Sequence, residues 1–179
     1  TTSGGTDATV AERNIRKLPR SARTPGRRSG MLAPMTSWRD TTSQEAQDDL
    51  DGLLNAVLPF AEQTLAKYGE MFPFGAAVSS EGQVEMMAAD PGKGEQPPST
   101  ELLNLLYQGA RESAETRRAV AFVADVRIEG GDAIRVELEH REGTSLALVI
   151  PYTRSRFRKT ISLGQMSGEV GESRIWSDS

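Results

Sequence analysis

"AVAFVADVRIEGGDAIRVELEHREGTSLALVIPY", residues 119–152, decides the fold of this chain. Three runs rich in β-branched and apolar residues, 119–128, 132–140 and 145–152, are joined by EGGD and REGT, both tight-turn compositions. The pattern predicts an antiparallel meander. Apolar residues follow one another in the first and third runs, which marks central strands covered on both faces for part of their length. The middle run alternates: Ile134, Val136, Leu138 and His140 fall on one face, and Arg135, Glu137, Glu139 and Arg141 on the other.

Upstream, "TSQE" has the capping-box spacing from Thr42 to Glu45 and opens a helix. Leu50, Leu53, Leu54, Val57, Ala61, Leu65 and Tyr68 recur at three- and four-residue intervals along it. Pro59 removes a backbone donor and is expected to kink or divide this helix, and Gly69 is a left-handed stop. "FGAAVSSEGQVEMMA" (74–88) reads as a hairpin with Glu81-Gly82 at its tip. "DPGKGEQPPST" (90–100) is a Pro/Gly linker without phosphate-loop spacing. Ser99 or Thr100 then caps a second helix to about Thr116, with Leu102, Leu103, Leu106, Ala110 and Ala114 on its apolar side. A weaker strand spans 160–165. The expected fold is α+β: residues 42–179 form a single domain in which two helices pack on an antiparallel sheet of five or six strands. A chain of this size buries close to two-thirds of its unfolded surface, enough for a core without metal or disulfide.

Residues 1–41 read differently. Thr, Ser, Gly, Pro and Arg dominate without periodicity, which predicts a disordered basic arm. Residues 1–40 carry eight basic and three acidic side chains, net +5; with −4 overall, the remainder is −9. "MTSWRDTTSQEAQDDL" from Met35 looks like a natural start, so residues 1–34 are expected to be an extension or an over-long start assignment. The competing reading is a nucleic-acid-binding arm.

Composition removes several chemistries. The chain has no cysteine, which excludes disulfides, thiolate catalysis and Cys-ligated metals, and its single histidine excludes a His-rich metal site within one chain. Neither a cofactor nor a bound metal is expected. No apolar run approaches the roughly 18 residues that span a bilayer, and no secretory apolar core follows the N-terminal basic residues, so a cytoplasmic protein without membrane association is expected.

Four residues are weak catalytic candidates: Glu137, Glu139, Asp125 and His140. Glu137 and Glu139 stand about 6.6–6.8 Å apart along their strand, and pairing across EGGD is expected to add Asp125 and Arg127 to the same face. Such a cluster handles protons or a divalent ion. Interleaved arginines, however, relieve the charge sharing that tunes a carboxylate, so a solvated stripe of alternating sign is the expectation. For His140, no orienting partner or nucleophile is recognisable, and a strand-end histidine bonded to backbone is expected. The loop 153–159 sets Arg154, Arg156, Arg158 and Lys159 around Phe157, a binding surface for a phosphate backbone or stacked base, or else simply a hairpin kept soluble by charge. FPFG (72–75), Trp38 and Trp176 are apolar groups that either form a partner patch or close the core. No nucleophile-elbow, zinc-helix or dinucleotide motif is present.

FPFG, "PPSTELL" (97–103), the two runs AVAFVADVRI and DAIRVELEHREG, and "IPY" (150–152) together resemble a group of small bacterial proteins, mostly from high-GC Gram-positive genomes. The resemblance covers about Met35 to Trp176. It implies a bacterial cytoplasmic origin and carries no activity or catalytic residue onto this chain. By fold analogy alone, the helix–hairpin–helix–meander order is similar to profilin-like and roadblock-type modules, which bind partners or small molecules. The leading expectation is a non-enzymatic interaction or regulatory module, of accessory or immunity type, with a protein partner. A carboxylate enzyme using a divalent ion is the alternative, and nucleic-acid binding through the arm and loop 154–159 is the second. Homodimerisation through an edge strand such as 160–165 stays open.

Overall fold

A computed structural model describes residues 37–90, 97–155 and 157–177, all within one unit, Thr36–Ser179. The elements are α1 (Trp38–Thr41), α2 (Gln44–Tyr68), β1 (Phe74–Ser79), β2 (Val84–Ala88) and α3 (Ser99–Glu112). After a 3₁₀ turn (Ala114–Thr116) follow β3 (Arg117–Ile128), β4 (Gly131–His140), β5 (Thr144–Ser155), β6 (Thr160–Leu163) and β7 (Ser167–Val170). The fold is α+β, with one antiparallel seven-stranded sheet in the order β2-β1-β3-β4-β5-β6; β7 also pairs with β5. β6 takes the Tyr152–Ser155 half of β5 and β7 the Leu146–Val149 half. The 119–152 meander is β3-β4-β5, as its turns and alternation predict.

The helices lie on opposite faces of the sheet. α2 seals one face: Leu50, Leu53, Leu54, Val57, Ala61 and Leu65 pack on Val78, Ala121, Val123, Ile134, Val136, Leu138 and Ile150. α3 seals part of the other, with Leu106, Tyr107 and Ala110 on Ala77, Val120 and Phe122. β1 and β3 are thus buried on both sides, which their unbroken apolar runs require.

Several local expectations need correcting. The helix cap is Ser43, whose Oγ accepts from Ala46 N–H at 3.1 Å. Thr42 instead turns its hydroxyl to the Trp38 carbonyl and to Thr144. Glu45 does not reach back to the cap, because Arg118 draws it into an ion pair. Pro59 sits inside α2 without dividing it. A mid-helix proline costs about 3 kcal/mol, whereas each buried aliphatic side chain contributes about 1.5–3 kcal/mol; the core contacts on both sides of Pro59 outweigh the lost bond. α3 starts after Pro98 and has no side-chain cap from Ser99 or Thr100. Gly69 ends α2 at φ 85°, with its N–H on the Leu65 carbonyl.

The basic arm is shorter than expected at its C-terminal end. Ser37 and Asp40 cap each other's backbone groups around α1, Trp38 packs against the α2 core, and Arg39 holds Asp51 through two bonds of 3.0 and 2.7 Å. The rest of the arm, including the expected extension 1–34, lies outside the described residues, as do positions 91–96 of the linker.

Candidate functional site

Between Ile128 and Gly131 the chain turns through two residues, so odd-numbered residues of β3 stand opposite even-numbered residues of β4. Asp125 therefore pairs with Ile134 and lies on the α2 face, away from Glu137 and Glu139. This corrects the expected three-carboxylate cluster. On its own face Asp125 accepts the Tyr152 hydroxyl at 2.9 Å. Burial raises its pKa, and the Tyr152 bond only partly opposes that. The Tyr152 phenol is in turn pushed above its ordinary range, by burial first and then by Asp125.

Glu137 and Glu139 do share the opposite face, but it is not a solvated stripe. Glu139 is only 4 % exposed. Its carboxylate accepts the Ser173 hydroxyl at 2.6 Å and the backbone N–H groups of Arg174 (2.8 Å), Ile175 (3.1 Å) and Trp176 (2.9 Å). Consecutive amides converging on one anion form a concave nest, here filled by the protein's own side chain. The anchored segment drops Ile175 into the α3-side core with Trp176 beside it. Trp176 thus has a packing role, as Trp38 does on the other face.

Two residues along β4, Glu137 sits at the edge of that core. It accepts the Tyr107 hydroxyl at 2.7 Å, Arg135 Nε at 3.0 Å and Arg135's terminal nitrogen at 2.9 Å, with Arg174 Nε at 3.4 Å. Arg174 also lies over the Tyr107 ring and binds Glu172. Burial, then the bond to Glu137, pushes the Tyr107 phenol up. Two grooves meet at Arg135 and Glu137. One, of about 280 Å³, runs over Leu103, Tyr107, Phe122, Ala124 and Val126. The other, of about 230 Å³, runs along β5 and β7 past Ala147 and Glu169. The first is apolar along its floor and charged at one end, a shape suited to holding an apolar group beside a polar one. Arg135 and Arg174 keep their outer edges in solvent.

His140 is on the α2 face and 1 % exposed. Its Nδ1 accepts the Glu142 N–H at 3.2 Å, so the proton is on Nε2, which faces Asp49 at 3.4 Å. Asp49 is also held by Arg118 at 2.7 Å, and Arg118 binds Glu45. The Asp49–His140–Arg118 group is an internal clamp between α2 and the sheet, with no opening to either groove. Among the described residues no group of three or more His, Asp or Glu could hold a metal ion, and no helix is long and apolar enough to cross a membrane.

The basic loop forms the β5–β6 hairpin tip. Phe157 is fully exposed there with Arg158 beside it, and Lys159 takes a positive φ of 48°. Arg154 lies against Gly69 at the C-terminus of α2, where a side chain on residue 69 would collide with its guanidinium. The helix end favours a cation there. Arg156 lies outside the described residues.

No family model, curated protein or solved structure matches the chain.

The partners that matter most had weak sequence signals. Tyr107 follows Leu106 in an apolar helix and reads as core. Asp49 lies one residue before Leu50, inside the apolar spacing of α2, and that position is the one visible hint that it is buried. The Arg174–Trp176 amides leave no side-chain signature at all.

Proposed function

We propose that this chain is a non-enzymatic interaction or regulatory module of the bacterial cytoplasm, accessory or immunity-type, which docks a protein partner in the groove beside α3. The supporting observation is the state of the acids. Glu139 is saturated by four donors of its own chain, and Glu137 is held by Tyr107, Arg135 and Arg174. A general base or metal ligand needs a free lone pair, and a general acid a transferable proton, facing substrate. The groove instead offers an apolar floor and guanidinium edges. Its fitting partner presents an apolar side chain next to a carboxylate.

The test is photo-crosslinking from position 103 in the full chain, in the native host, with a second probe at exposed Glu115 as control. A stoichiometric adduct at 103, absent at 115 and lost with Arg135→Glu, supports the reading. A melting temperature raised by magnesium, manganese or calcium, with that rise lost in Glu137→Gln, overturns it in favour of a carboxylate enzyme.

One observation favours a second reading, nucleic-acid binding: the solvent-exposed Phe157 ring beside Arg158. Its signature is affinity for single-stranded DNA or RNA that falls steeply with salt and is lost in Phe157→Ala.

A further inference from the structure

The two edges of the sheet are built differently. At one end, β6 and β7 divide the outer side of β5 between them, two four-residue strands interrupted by residues 164–166. Short, broken edges are poor templates for another chain. At the other end lies β2, an unbroken VEMMA strand with no proline, no lysine and no bulge against β1. Ser79 N–H bonds the Gln83 carbonyl. Antiparallel alternation then turns the backbone groups of Glu85 and Met87 toward β1, and those of Val84, Met86 and Ala88 outward. Among the described residues no strand pairs with that side.

The same three residues place their side chains on the α2 face, opposite Val78, Ala76 and Phe74. Val84 and Met86 are 44 % and 49 % exposed. Phe60, edge-on to Phe74 at 4.8 Å, and Phe72 are also exposed. Half of the large apolar side chains exposed among the described residues therefore belong to this edge or its approach.

We propose that β2 pairs with β2 of a second copy, antiparallel about a two-fold axis at Met86. In that register Met86 faces its own copy, and Val84 faces Ala88, joining the outward backbone groups in hydrogen-bonded pairs. Glu85 then stands opposite Met87, on whose sulfur the Arg117 guanidinium rests. Each acid gains a cation, twice by symmetry. Centring the axis on Glu85 instead sets two like charges face to face, a destabilising arrangement. A strand from another protein must bring its own match to this charge pattern; a second copy brings it automatically.

Sedimentation equilibrium of the full chain tests the pairing, with amide exchange as a second readout. The expected mass is twice the 19.4 kDa of the chain. Val84, Met86 and Ala88 amides should be protected at high concentration and exchange freely on dilution. Met86→Lys, at a half-exposed position, should give a folded monomer with those amides unprotected; Val84→Lys should do the same should the first variant fail to fold. A monomer at all concentrations, or a dimer that survives both substitutions, overturns the proposal. So does edge protection that is independent of concentration, since another segment of the same chain then occupies the edge.

Discussion

Glu139→Ala tests whether the buried carboxylate is an internal anchor. Bonds to a charged group contribute about 1.5–3 kcal/mol each. With the tail left in place and its amides orphaned, the four donors on Glu139 put the loss above roughly 6 kcal/mol. The segment has a cheaper route, because it can leave the sheet and give its amides to water. The loss is then capped at the docking energy of the segment. Burial of Ile175 supplies about 1.5–3 kcal/mol of that energy, and the bonds to Glu139 supply more. Freeing the segment returns about 1–2 kcal/mol of backbone entropy per residue, which offsets much of it. The expected net loss is about 3 kcal/mol, or roughly 10 °C in melting temperature for a domain of this size. Glu139→Gln keeps the shape but turns one acceptor into a donor facing N–H groups, and should cost about half as much. Scanning calorimetry gives the stability, and amide exchange gives the location: Arg174, Ile175 and Trp176 should lose protection before the rest of the sheet. Unchanged protection of those amides in Glu139→Ala would falsify the anchor.

Other substitutions probe the surrounding chemistry. Ser145 stands opposite Glu139, and its hydroxyl is buried with no bonding partner among the described residues; Ser145→Ala should raise stability by about 1 kcal/mol in urea unfolding. Arg118→Ala strands Asp49 beside His140 and should cost about 3 kcal/mol, part of which Asp49→Asn restores in the double variant. Burial raises the Asp125 pKa, so this group favours the folded state most below its unfolded pKa and loses that contribution as pH rises through its folded pKa. Asp125→Asn should accordingly remove that fall, so the variant's melting temperature gains on that of the unmutated chain as pH rises through the acid range. A difference between the two that does not change with pH refutes the assignment.

What was legible in the sequence, and what was not, follows from where each signal lives. Ile134, Val136 and Leu138 announce a strand face because burial acts on each residue separately, and the leucines of α2 do the same for a helix. Ser167–Val170 announces nothing: its four residues are exposed and pair through backbone, with one long bond from the Ser167 hydroxyl to the Val149 carbonyl. The face Asp125 takes depends on the parity of a two-residue turn, which composition does not encode. The burial of Glu139 was hidden for another reason. Apart from the Ser173 hydroxyl, its donors are main-chain amides 35 to 37 residues downstream, and main-chain amides are identical in every sequence. Local pattern therefore placed the meander, while the groove at Glu137 depended on long-range partners, Tyr107 and Arg174, that no local pattern names.

Asp49 has a consequence for how α2 chooses its seat. Slid one turn along the sheet, the helix would still offer apolar side chains to the same sockets: Leu50 would replace Leu54, Val57 would replace Ala61, and Ala61 would replace Leu65. The greasy ridge is nearly periodic and tolerates the shift. The acid does not, for the slide carries Asp49 into the fully enclosed place of Leu53, far from Arg118 and His140. One acidic side chain thereby singles out one alignment among several that hydrophobicity leaves almost degenerate.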